Sequence, residues 1–180
     1  MTNTLQIQSQ RLSIRPITVD DAHDLFKYRA DAETNKFQGW IPKIIDDVVV
    51  FISKTATAIN QPNSWFQLAI INKDTQELIG DIGLHFLGDE NKQVEIGCTL
   101  SKNQHGKGYA TEALKSIISY LFFELNKHRI STSIDPGNTS SIALVERLGF
   151  RKEAHFRSSL FINGQWVDDV VYALLNDEWQ

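Results

Sequence analysis

The stretch from residue 65 to residue 100 constrains the fold of this 180-residue chain more than any other. Three apolar runs, 65–71, 78–86 and 94–100, are separated by the polar turns Asn72-Lys73-Asp74 and Asp89-Glu90-Asn91-Lys92. Parallel neighbours in a sheet need a crossover of roughly a dozen residues or more. The connections here are shorter, so the runs predict an antiparallel meander. This excludes a doubly wound fold, in which each strand hands over to a helix.

Periodicity assigns the rest of the chain. Residues 6–17 alternate, with Ile7, Leu12 and Ile14 apolar, and read as one strand. Thr18 is a candidate N-cap with Asp21 three residues on, and Ala22, Leu25, Phe26 and Arg29 carry a helix to about Ala32. Asp46 and Asp47 open a second helix with Val48, Phe51, Ile52, Thr55 and Ile59 on one face, broken by Asn60, Pro62 and Asn63. A long amphipathic helix spans 109–125, with Ala110, Ala113, Leu114, Ile117, Ile118, Leu121 and Phe122 on its apolar face. Residues 129–134 read as a strand, 140–148 as a helix stopped by Gly149, and 152–162 and 166–175 as strands joined at Asn163-Gly164. The predicted fold is a mixed α/β (α+β) arrangement in a single domain over 1–180. Its central sheet is mostly antiparallel, with about seven strands flanked by about four helices.

Charge and composition narrow the function. The net charge of −4 argues against a nucleic-acid binder, whose affinity rests on neutralising phosphates, and suits a cationic acceptor such as an amine. The single cysteine, Cys98, rules out an internal disulfide and fits a cytoplasmic location. The start Met1-Thr2-Asn3-Thr4-Leu5 has no basic segment leading into an apolar core, so no secretory signal is expected. The longest apolar runs, 48–52 and 120–123, fall far short of a membrane span. His23, His85, His105, His128 and His155 have no metal-ligand spacing, so no metal is expected.

The sharpest motif is His105-Gly106-Lys107-Gly108-Tyr109-Ala110-Thr111-Glu112-Ala113-Leu114, set between a strand and a long helix. Glycines let the backbone turn tightly and approach a ligand, and the free N–H groups of the first helical turn form a cradle for an anion. Lys107 adds a point charge at the rim. A glycine loop that binds nothing has the same letters, so the loop alone leaves both readings open. Its spacing fits neither a Walker loop nor a dinucleotide fingerprint.

Gly108-x-Ala110 after this strand resembles the signature of the GNAT acetyltransferase superfamily. Asn138-Thr139-Ser140-Ser141-Ile142-Ala143-Leu144-Val145-Glu146-Arg147-Leu148-Gly149-Phe150 is similar to that family's second motif, and the element order matches from end to end. The resemblance implies acetyl-CoA as co-substrate. His105, Gly106, Lys107, Gly108, Tyr109, Ala110 and Thr111 would hold its pyrophosphate. Backbone groups of Cys98, Thr99 and Leu100 would pair with the pantetheine amides as an added strand would. Asn138 and Ser141 would face the cofactor, although Asn138 also suits the N-cap of its helix. Arg11-Leu12-Ser13-Ile14-Arg15-Pro16, the Gly-Tyr-Ala-Thr-Glu-Ala run and Gly164-Gln165-Trp166-Val167-Asp168-Asp169 resemble the Rim-type branch, which includes ribosomal-protein N-terminal acetyltransferases. A homodimer is common in the family.

Two residues depart from the pattern. His105 stands where Gln or Arg is frequent, and Val145 stands where a catalytic tyrosine is frequent, which excludes that tyrosine here. The implied reaction is aminolysis of a thioester, which needs a base, oxyanion donors and a hydrogen bond to the leaving sulfur. Glu95 is the candidate base, acting through water; the alternative is a glutamate on a solvent face or paired with a lysine. Glu112 is a second carboxylate, better suited to stabilising the start of its helix. Ser141 is the candidate donor to sulfur. Cys98, inside an apolar strand, reads as an inert buried thiol rather than a nucleophile. The tryptophans read as packing residues, while 37–45 with Trp40 and the hairpin at Asn163-Gly164 are candidate acceptor walls. The acceptor is a protein N-terminus, such as that of a ribosomal protein, or a small amine such as a polyamine, amino acid or antibiotic. A catalytically silent CoA-binding module is the remaining alternative.

Overall fold

The computed structural model describes residues 5–162 and 164–180. Among the described residues, eight strands form one sheet: β1 (Ile7–Gln8), β2 (Leu12–Pro16), β3 (Ser64–Asn72), β4 (Leu78–Leu87), β5 (Gln93–Leu100), β6 (Arg129–Ile134), β7 (Arg151–Ile162) and β8 (Gln165–Leu175). Their order across the sheet is β1-β2-β3-β4-β5-β6-β8-β7. Every pairing is antiparallel except β5 with β6. The predicted meander is β3-β4-β5.

The strand expected over 6–17 is two strands. The chain turns at residues 9–11, where Ser9 N–H donates to the Leu12 carbonyl (2.9 Å), and β1 folds back on β2. Residues 8–11 are all polar and Ile7 is out of phase with Leu12 and Ile14, so the sequence does carry the break. Asn163, half of the expected hairpin signal, lies outside the described residues, as do Met1 to Thr4; Gly164 takes a φ of +82°.

The helices are α1 (Ala22–Arg29), α2 (Ile45–Ser53), α3 (Tyr109–Ser119) and α4 (Thr139–Arg147). Asp21 accepts the Thr18 N–H (2.8 Å) and Asp47 accepts those of Lys43 and Ile44 (2.8 and 3.2 Å), covering donors that a helix start leaves bare. α2 stops well before Ile59. Ser53 and Thr55 hydroxyls donate to the Val50 and Ile52 carbonyls (both 2.8 Å), and Ala56 N–H is captured by the Trp65 carbonyl (2.7 Å). α3 widens into a π-helical turn over Tyr120–Glu124, which Leu125 N–H closes on the Tyr120 carbonyl (3.1 Å).

Side chains alternate across the sheet and sort its two faces. Phe66, Leu68, Ile70, Ile82, Leu84, Phe86, Val94 and Ile96 join Leu114, Ile117, Ile118 and Leu121 of the α3 segment in the larger core. Ala69 packs with Ala22, Leu25, Tyr28 and Val48 from α1 and α2 in a smaller one. The second face is less apolar: it also carries Gln67 and Asp81, both buried. Among the described residues no helix is long and apolar enough to cross a membrane.

Candidate active site

The site begins where the sheet splits. β5 pairs with β6 only at Gln93–Arg129, Val94–Ile130 and Glu95–Ser131. Beyond Glu95 the strands part, while β5 stays bonded to β4 as far as Leu100. Three adjoining cavities of about 270, 300 and 480 Å³ occupy the opening. Cys98 and Ser141 line all three, so they form one cleft. It runs from Trp65 and Glu95 at one end to Gly106, Gly108, Tyr109, Ala110 and Thr111 at the other.

At the loop end, Gly106 and Gly108 have φ of +75° and +81°, and Gly108 is the N-cap residue of α3. Two left-handed residues so close together turn the loop tightly beside the cleft, a conformation costly for other residues. The loop is anchored from behind. Glu112 accepts from the Ser9 hydroxyl, the Arg11 N–H and Arg11 Nε, all at 2.7 Å. Arg11 also donates to the Lys107 carbonyl (3.0 Å) and lies 4.4 Å from the centre of the Tyr109 ring. The Tyr109 hydroxyl accepts from Asn72 (3.1 Å). Burial acts to raise the Glu112 carboxyl, but the bonds from Arg11 and Ser9 outweigh it and hold it below the usual range. Glu112 is thus committed to the scaffold, as its place in the first turn suggests. His105 donates Nε2–H to the Leu100 carbonyl (2.9 Å), bracing the loop and leaving Nδ1 for a ligand. Lys107 does not line the cleft: its ammonium bonds Gln104 (3.1 Å). Arg147 of α4, passed over in the sequence, stands opposite the loop in the same cavity.

At the centre, the Asn138 side chain accepts the Ser141 N–H (3.2 Å) and caps α4. The Ser141 hydroxyl makes no hydrogen bond among the described residues and opens on the cleft. Val145 is a buried apolar wall in the same cavity. Thr99 accepts from Gln38 (3.5 Å). Cys98 is half-buried on the cleft rather than buried as expected, but loss of solvation, and then the charge of Asp81, push its thiol up to about 12, so it stays protonated.

The other end is built on the α1/α2 face. Register places Trp65, His85 and Glu95 in one row across β3, β4 and β5. The Trp65 and His85 rings stack at 4.4 Å with planes 9° apart, and His85 Nδ1 lies 3.9 Å from the Glu95 carboxylate. Glu95 therefore faces the cavity beside a histidine, not a lysine. The next row is Gln67, Gly83 and Gly97, and the next is Ala69, Asp81 and Thr99. Asp81 is fully buried and accepts from Tyr28 (2.6 Å), Arg29 (3.1 and 2.5 Å) and Gln67. Burial and then Asp81 push the Tyr28 phenol well above its ordinary value, which keeps it a donor.

The acceptor walls differ from expectation. Trp40 stacks on Phe51 at 4.7 Å in the smaller core and does not line the cleft, whereas Phe37 and Gln38 of the same segment do. Among the described residues, none of the β7–β8 hairpin tip lines the cleft, and Phe161 and Trp166 pack on each other in solvent at 5.2 Å. Trp65, 47% exposed, replaces Trp40 as the cleft tryptophan. His85, Arg29 and Gln67 were also missed. The available signal was Gln67 and Asp81, polar residues inside otherwise apolar strands.

Residues 11–151 match the Acetyltransferase (GNAT) domain family. An uncharacterized N-acetyltransferase, p20, of Bacillus licheniformis is 33% identical over 177 residues, covering 96% of this chain and 97% of that one. The [ribosomal protein uS5]-alanine N-acetyltransferase of Escherichia coli is 28% identical over 182 residues, covering 97% and 93%. A GNAT-family acetyltransferase structure from Bacillus anthracis superposes with a TM-score of 0.87 at 28% identity, covering 97% of this chain and all of that one. With the loop, the split sheet and the cleft between them, these matches make the chain a member of the GNAT acetyltransferase family and an N-acetyltransferase.

Proposed function

We propose that this enzyme transfers the acetyl group of acetyl-CoA to the N-terminal amine of a protein, such as a ribosomal protein. The observation that carries the reading is the single cleft joining an anion-binding loop to a carboxylate, with an unbonded serine hydroxyl between them. The residues fit acetyl-CoA. Cys98, Thr99 and Leu100 lie on a strand edge that β6 has left, so their backbone groups are available to an extended amide-bearing arm. The amides of the Gly106–Gly108 turn and the first turn of α3 suit a pyrophosphate.

Acetyl-CoA, when bound, supplies an activated acyl group as a thioester. Glu95 takes the proton from the incoming ammonium, directly or through water, because a protonated amine cannot attack. Its exposure to the cavity and its neighbour His85 give that proton an exit to solvent. Ser141 donates a hydrogen bond where the departing sulfur gathers charge. Val145 gives the cleft no proton donor at its own position, which leaves that work to Ser141. The name of the E. coli relative, which acts on a ribosomal-protein alanine, supports a protein N-terminus over other amines.

The test is thiol release from acetyl-CoA with N-terminal peptides, polyamines, amino acids and aminoglycosides, using wild type, Glu95→Gln and Ser141→Ala. The reading expects peptide turnover that falls tenfold or more in each variant. Turnover of polyamines or antibiotics alone moves the acceptor to small molecules. Coenzyme binding with no turnover of any acceptor supports a silent binding module.

A further inference from the structure

The acceptor end holds two buried polar side chains with unused hydrogen-bonding capacity. Arg29 and Gln67 are 9% and 5% exposed. Arg29 spends Nε and one Nη on Asp81 (3.1 and 2.5 Å), and its other Nη bonds nothing among the described residues. Gln67 spends its amide nitrogen on Asp81, and its Oε1 likewise accepts nothing. Both side chains line the cavity that holds Glu95.

Asp81 fixes these groups in opposite senses. By taking one donor from each, it leaves a donor on Arg29 and an acceptor on Gln67. Gln67 Oε1 stands over Gly83, where an added Cβ would lie 3.1 Å from it. At Gly97, the next residue in that row, an added Cβ would meet nothing within 4 Å. The floor is thus covered at Gly83 by Gln67 and Trp65 and open at Gly97, where a main chain can approach closely. Neither free atom is among the buried side-chain atoms that lack a partner, so both open on the cavity, where a bound ligand can pair with them in place of water.

We propose that Arg29 and Gln67 read the first peptide unit of the acceptor. Arg29 donates to the carbonyl of the N-terminal residue, and Gln67 accepts the N–H that follows. The inference rests on the N-terminal acetylation reading of this same site. Spacing supports it: the Gln67 row lies two residues, ~7 Å, from the Glu95 row. An α-amine within reach of Glu95 thus carries its first peptide unit over the glycine row. A polyamine has no carbonyl and brings a cation towards Arg29. A free amino acid presents carboxylate oxygen to Gln67 Oε1, two acceptors facing each other.

The probes are trialanine amide, the same peptide methylated on its first peptide nitrogen, free alanine, and isopropylamine. kcat/KM is measured for each and divided by the fraction of neutral amine. Trialanine amide is expected to exceed each of the other three about tenfold or more, the value of one hydrogen bond to a buried polar or charged partner. Arg29→Lys keeps a cation against Asp81 but loses the spare Nη, and is expected to shrink the ratio of trialanine amide to isopropylamine. Equal kcat/KM for all four probes overturns the inference and leaves the acetyltransferase reading intact. So does a ratio unchanged in both Arg29→Lys and Gln67→Met. Absence of turnover with every amine and peptide overturns the proposed acceptor and this inference with it.

Discussion

Replacing Glu112 with glutamine separates a scaffold carboxylate from a catalytic one. Glu112 Oε1 accepts from Ser9 and the Arg11 N–H, and Oε2 accepts from Arg11 Nε, each at 2.7 Å. Glutamine keeps one oxygen for the first two donors but points its NH2 at Arg11 Nε, so one charge-assisted bond becomes a donor–donor contact. Such bonds contribute about 1.5–3 kcal/mol. The Glu112 side chain is 16% exposed but that of Arg11 is 38% exposed, so screening places the loss at the low end, about 1.5–2 kcal/mol. For a domain of this size that lowers Tm by roughly 3–8 °C. Because the folded carboxyl is lowered from 4.5, its stabilisation is fully present above that value and is lost as pH falls through the lowered one. The Tm difference between wild type and Glu112→Gln is therefore full at pH 7 and narrows in acid. Differential scanning calorimetry from pH 7 to pH 3, with kcat and KM for acetyl-CoA at pH 7–8, tests this. A higher KM with kcat within about threefold of wild type is expected, because the loop loosens while the reacting groups stay. An unchanged Tm with a collapsed kcat would falsify the scaffold role and make Glu112 a proton acceptor.

Three further perturbations address other parts of the site and its support. Gly108→Ala places a Cβ at φ +81° and 3.4 Å from Arg11 Nη2, which costs about 1–2 kcal/mol in strain alone. Calorimetric titration with CoA is expected to show binding weakened roughly 5- to 30-fold, and unchanged affinity would mean the loop tolerates a side chain there. Cys98, with its thiol near 12, is expected to resist iodoacetamide at pH 8 by roughly a thousandfold relative to the urea-unfolded chain; rapid native alkylation, read by mass spectrometry, would contradict its inertness. For Asp21, burial acts to raise the carboxyl, but Arg15 and the Thr18 N–H lower it below 3.8. Asp21→Asn is expected to cost about 1.5–3 kcal/mol in urea unfolding at pH 7 and progressively less below pH 4, and a loss that grew in acid would refute the pairing.

Much of the fold was legible because period and punctuation are local. The α3 stripe, the β3-β4-β5 meander, the Thr18–Asp21 start and the glycine loop all depend on residues within a turn or two of each other. Local errors arose at element ends: the polar run 8–11, across which Ile7 falls out of phase with Leu12 and Ile14, is a turn, and hydroxyl-to-carbonyl bonds ended α2 inside an apolar pattern.

The sequence by itself determined most element types, the glycine loop proposed to hold an anion, and a neighbourhood for Glu95 and Ser141. Tertiary structure alone decided which side chains meet in the cleft. Trp65, His85 and Glu95 share a row because of inter-strand register, and a one-residue slip would turn Glu95 to the core. The cleft exists because β6, reached through the long α3 crossover, pairs with β5 for three residues and then diverges. Arg29 meets Asp81, 52 residues away, because α1 packs across β4. Contacts of that separation leave no period in the chain, and only packing reveals them.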